Sequence, residues 1–64
     1  MNKYKVKFAF INSTVLAYFD SIEQGKQFCN LYQHEKFKPK GLNTFDLLMK
    51  MLKEHSIEHI TEKN

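Results

Sequence analysis

The sequence predicts a small two-layer α+β domain: an N-terminal antiparallel β-hairpin followed by two α-helices, with the C-terminal tail readable as a short third strand. Three patterns predict it. Residues 3–19 alternate with period two and are rich in aromatics, residues 22–34 and 44–55 repeat apolar positions at helical spacing, and a lysine-, proline- and glycine-bearing stretch separates the two helices. A chain of 64 residues makes a single domain near the lower size limit for independent folding.

The first strand reads from Lys3 to Ile11, and Thr14 to Phe19 forms the second. Asn12-Ser13 is the expected tight turn, because asparagine tolerates the left-handed conformation. That turn pairs Phe10 with Val15, Phe8 with Ala17 and Val6 with Phe19, and sets Lys5 opposite Asp20. Such an aromatic face belongs in a core. The other face carries Lys5, Lys7, Ala9, Ile11, Thr14, Leu16 and Tyr18, which is more apolar than a solvated sheet face. A cover is expected for it, either the chain's own C-terminal part or another molecule.

Ser21 with Gln24, or Asp20 with Glu23, has capping-box spacing and starts a helix from Ile22 to about His34. Ile22, Gly25, Phe28, Cys29 and Tyr32 share one side of it. Gly25 costs roughly 1 kcal/mol of helix propensity in the middle of that stripe. A close approach of the helix backbone to the large aromatic rings accounts for it. The linker from His34 to Asn43 follows, and Asn43 or Thr44 caps a second helix with Asp46 in its first turn. Phe45, Leu48, Met49 and Leu52 form its stripe, widened by Leu47 and Met51. From His55 onward two continuations compete. A helix running through Ile60 would place Ile57 on the charged face, whereas a stop near His55 frees Ser56–Thr61 to pair beside the hairpin.

Composition excludes more functions than it suggests. Cys29 is the lone cysteine, so no disulfide framework exists, and with no signal-like or long apolar run the expectation is a soluble protein of a reducing cytoplasm. The net charge of +3 comes wholly from lysine. Abundant lysine, asparagine, isoleucine and phenylalanine with no arginine suggests an AT-rich genome, as in a low-GC bacterium, its phages or its plasmids.

No residue set announces catalysis. Cys29 sits in an apolar stripe, where it reads as a small buried hydrophobe rather than a nucleophile. His55 and His59 have the four-residue spacing of helical metal ligands, but Ser56 stands where that motif needs glutamate and no further ligand is evident. They read as ordinary polar histidines, and no cofactor or metal is expected. Gly25 and Gly41 stand alone and build no phosphate-binding loop.

Two surfaces remain. The leading expectation is a non-enzymatic protein-interaction module that binds another protein through Lys5, Lys7, Ile11, Leu16 and Tyr18, an apolar centre with a charged rim. A phage- or mobile-element-type modulator or inhibitor of a larger host protein has this size, and a homodimer closed through the sheet is a further form of the same idea. The alternative is a small basic regulator that binds nucleic acid through Lys36, Phe37, Lys38 and Lys40, helped by the strand lysines. Missing arginine and a modest charge argue against it. Hairpin-helix-helix order is a general scaffold and assigns no function by itself.

Overall fold

Three antiparallel strands form one sheet in the order β1-β2-β3, with β1 (Tyr4–Ala9) and β3 (Glu58–Lys63) on either side of β2 (Ser13–Phe19). Two helices, α1 (Ile22–Lys36) and α2 (Thr44–Glu54), lie between β2 and β3 in the chain. The computed structural model describes residues 3–38, 41 and 43–63. The α+β class and the hairpin-helix-helix order are those the sequence predicts, and the tail is a third strand.

The hairpin closes one residue earlier than the sequence suggests. The Phe10 amide donates to the Ser13 carbonyl at 2.8 Å, which leaves Ile11 and Asn12 in the turn. β1 therefore pairs Tyr4 with Phe19, Val6 with Ala17 and Phe8 with Val15, a slip of two residues from the expected register. A slip of two keeps every side chain on its own face, so the core face survives although each predicted pair changes. Lys5 lies opposite Tyr18, and Asp20 instead pairs with Lys3 at 3.5 Å. Tyr4 explains the preference. The observed register brings it level with Phe19, where both rings meet the backbone of α1; the expected one strands it beyond the end of β2.

α1 starts where Ser21 Oγ accepts from the Gln24 amide at 3.1 Å, while Gln24 Oε1 accepts from the Asp20 amide at 2.7 Å. It runs two residues past the expected end, to Lys36. Gly25, Phe28 and Tyr32 are buried and Cys29 is half-buried, but Ile22 stays 54% exposed at the first turn. A Cβ on Gly25 would lie 2.8 Å from the Tyr4 ring and 3.3 Å from that of Phe19, so the glycine permits this contact. α2 is capped by Asn43, whose Oδ1 accepts from the Asp46 amide at 2.8 Å. Its buried stripe is Leu47, Leu48, Met51 and Leu52, with Phe45 and Met49 at the margins.

Backbone hydrogen bonds decide where α2 ends. Ser56 adopts φ 55°, its amide donates to Lys53, and the Ile57 amide donates back to Leu52 at 2.9 Å. This is a Schellman closure with serine in the position usually held by glycine. It turns Ile57 into the core and aims the chain along β2, where Ile60 pairs with Leu16 and Glu58 with Tyr18.

Both helices cover one face of the sheet. Val15, Ala17 and Phe19 from β2 are fully buried there against Phe28, Leu48 and Leu52. Phe28 packs on Phe19 at 5.3 Å and edge-on to Phe8 at 6.3 Å between ring centres. The Tyr32 hydroxyl donates to the Thr44 carbonyl at 3.2 Å and joins the two helices.

Candidate functional site

Because strand side chains alternate, everything that β1, β2 and β3 do not turn toward the helices lies on the opposite, open face. Three cross-strand rows compose it. Lys5, Tyr18 and Glu58 form one, Lys7, Leu16 and Ile60 the next, and Ala9, Thr14 and Glu62 the third. Leu16, Tyr18 and Thr14 are half-buried by their neighbours, and Ile60 is 47% exposed. A shallow depression of about 490 Å³ lies over Thr14 and Leu16, walled by Lys5 and Lys7 on one side and by Glu62 and Lys63 on the other. Among the described residues no helix or loop lies across this face.

The charge on the face is sorted by strand. At the row positions of the face Lys5 and Lys7 stand on β1 and Glu58 and Glu62 on β3, with Leu16 and Tyr18 of β2 between them. Lys63 reaches the rim from the end of β3. Lys3 extends the basic side, bonding Glu58 at 3.2 Å as well as Asp20. Its hydrogen bond to Glu58, followed by the charges of Asp20 and Glu58, raises the lysine pKa above its ordinary value. Among the described residues Lys5, Lys7 and Glu62 make no ion pair.

The structure brings Lys5, Lys7, Leu16 and Tyr18 together on this face. Ile11 is the exception among the expected contact residues. It belongs to the turn, not to the strand, and stands 94% exposed. There it lines a separate open groove with Phe10 and Phe45, beside the start of α2. Sequence reasoning missed Ile60, Glu58 and Glu62 as members of the open face. Their period-two spacing was the signal, hidden because the same residues also fit a helix continued from α2. The expected internal covers are elsewhere: α2 packs on the core face, Ile57 is buried in it, and Ile60 widens the open face instead of covering it.

The first part of the expected linker from His34 belongs to α1 and its cap. Lys36 closes α1, Phe37 caps it at φ −89° and is 80% exposed, and Lys38 pairs with Glu35 at 3.7 Å. The Lys36 ammonium lies 5.7 Å from the Tyr32 ring centre and 5.6 Å from that of Phe37. Lys40 lies outside the described residues. Lys36 and Lys38 belong to the helical layer, whereas Lys5 and Lys7 face away from it, so the two lysine groups do not share a surface.

The remaining reactive side chains have structural partners. His55 caps α2 and meets Phe28 edge-on at 5.9 Å, while His59 is in β3 with Nδ1–H donating to the Ile57 carbonyl at 2.7 Å. No single helix therefore presents both. Burial raises the Cys29 pKa and disfavours the thiolate that a nucleophile needs. Burial likewise raises that of Tyr32, partly offset by its bond to Thr44. No helix among the described residues is long and apolar enough to cross a membrane. Comparison with protein-family models, with curated proteins and with solved structures finds no match to this chain.

Proposed function

We propose that this chain is a non-enzymatic protein-interaction module whose open sheet face is the contact surface. The observation that carries the reading is an apolar row, Leu16 and Ile60 beside Tyr18, framed by charge and uncovered by any described element of the fold. Tyr18 supplies a large rigid ring with a polar tip, the type of group that anchors protein interfaces. The small size and the protonated, half-buried Cys29 support a modulator or inhibitor of a larger protein rather than an enzyme. A phage or mobile-element origin, with action in a reducing cytoplasm, rests on the lysine-rich, arginine-free composition and the single cysteine.

The test is a tagged pull-down from a low-GC bacterial lysate, with and without nuclease, read by mass spectrometry. One protein should be retained after nuclease treatment and lost with Leu16→Asp and with Tyr18→Ala, both of which should keep the wild-type circular dichroism. Unchanged retention by both variants would sink the proposal.

A second reading has one observation of its own. Phe37 projects from the end of α1 between Lys36 and Lys38, an aromatic platform with adjacent positive charge on which a base can stack. It predicts binding to single-stranded DNA or RNA that falls steeply with salt and weakens when Lys36 and Lys38 become glutamine. A flat titration at low salt removes it.

A further inference from the structure

The geometry points to a second copy of this chain as the occupant of the open face in the free protein. This rests on the reading of that face as an interaction surface and names its partner. Two copies can stack their open faces about a two-fold axis in the plane between the sheets, in one of two directions. An axis perpendicular to the strands lays β1 on β1, setting lysine against lysine and glutamate against glutamate. An axis parallel to the strands lays β1 of one copy over β3 of the other. Lys5 then faces Glu58 of the second copy, Lys7 comes within reach of its Glu58 and Glu62, and Leu16 and Tyr18 meet their own counterparts. Lys5, Lys7, Glu58 and Glu62 each gain an opposite charge, twice, by symmetry.

Two-fold edge-to-edge pairing offers no such match. A two-fold pairing of β1 centred on Val6 sets Lys5 opposite Lys7, and one of β3 centred on Ile60 sets Glu58 opposite Glu62. Among closed two-fold dimers the charge pattern therefore favours stacking, since the charge-matched pairing of β1 with β3 of a next copy runs on without closing. Stacking also gives each sheet what its composition calls for, a cover on both faces.

The area sets the strength. Three strands of about six residues present roughly 290 Å² of flat face. Even with side-chain relief this falls short of the ~800 Å² per partner of a standard interface. The dimer is accordingly at the weak end of interfaces, and a larger protein partner can displace it.

Sedimentation equilibrium from about 10 µM to about 1 mM spans the range in which a weak dimer forms. The mass should rise from 7.7 kDa toward twice that value, and the rise should shrink in high salt. The decisive arm uses two charge-swapped variants, K5E/K7E and E58K/E62K. Each alone should associate at least about tenfold more weakly than wild type, because β1 and β3 then carry the same sign. Mixed in equal amounts they should form a heterodimer, since the swapped acidic positions of one copy then meet the swapped basic positions of the other. Circular dichroism checks that both variants fold; a parallel swap at Lys50 and Lys53, on the solvent side of α2, should leave self-association unchanged. A monomer across the whole concentration range at low salt overturns the proposal, as does a mixture that stays monomeric. Neither result touches the interaction-module reading, whose own failure is read separately from the Leu16→Asp and Tyr18→Ala pull-down.

Discussion

Gly25 shows how one residue can trade local for tertiary stability. A helix interior disfavours glycine by about 1 kcal/mol relative to alanine. Here the missing Cβ leaves room for Tyr4, whose ring would lie 2.8 Å from it, and for Phe19 beneath. Gly25→Ala should therefore gain little or lose stability in the wild-type background, because the Tyr4 ring must move aside. In a Tyr4→Ala background the same change should be more favourable by at least about 0.5 kcal/mol. Urea unfolding of the four proteins in the cycle measures the difference; equal effects in both backgrounds would show that the contact does not set the residue choice. Tyr4 is also what marks the hairpin register, since only the observed pairing brings it over this glycine.

At the scale of elements, the end of α2 decides the most. Had the helix continued, Ile57 would lie among charged side chains, β2 would be an edge strand, and the open face would lose Glu58, Ile60 and Glu62. The Schellman closure prevents this, at the cost of holding Ser56 at φ 55°. A non-glycine residue pays roughly 1 kcal/mol for that conformation. Ser56→Gly should accordingly stabilise the protein by about 1 kcal/mol, a rise in Tm of roughly 4–8 °C for a domain of this size. A scan showing no rise, or a fall, would mean that the serine hydroxyl contributes something the backbone geometry does not account for. The sequence already held both outcomes for residues 56–61. Periodicity could not separate them because six residues are too short to distinguish a strand from the last turns of a helix.

For the whole molecule, the layered build leaves one face of a three-stranded sheet open and all the helical packing on the other. The chain exposes 4832 Å², more than the ~4,300 Å² expected for a folded protein of its mass, as suits a flat body only 16 Å through its thinnest axis. The same architecture fixes the response to alkali. Burial keeps Cys29 and Tyr32 protonated to higher pH than in the unfolded chain, and Lys3 holds its proton longer beside Glu58 and Asp20. In all three cases the folded state binds more protons than the unfolded one once pH passes the unfolded values, ~8.5 for a thiol and ~10 for a phenol or ammonium. Stability must then fall as pH rises. The urea midpoint should decline as pH rises above about 8.5 and further above about 10, and Cys29→Ala should remove the first part of the decline. An identical pH profile for that variant would assign the loss to other groups.

Much of this was legible in the residues themselves. Alternation in Tyr4–Phe19 determines a core face whatever the register, because an even slip moves no side chain across the sheet. Ser21, Gln24, Asn43 and Asp46 mark the helix starts by local hydrogen bonding, and the apolar stripes name Phe28, Tyr32, Leu48 and Leu52 as core. Lys5, Lys7, Leu16 and Tyr18 fall on one face for the same local reason. What only the tertiary structure decided are the contacts between residues far apart in the chain. Tyr4 over Gly25 selects among registers that alternation leaves equal, and closure of Ile57 onto Leu52 sends the tail into the sheet. The pairing of β3 with β2 then sets Glu58 and Glu62 across from Lys5 and Lys7. Local pattern determines which way each side chain points, whereas the neighbours it meets depend on how distant segments share one core.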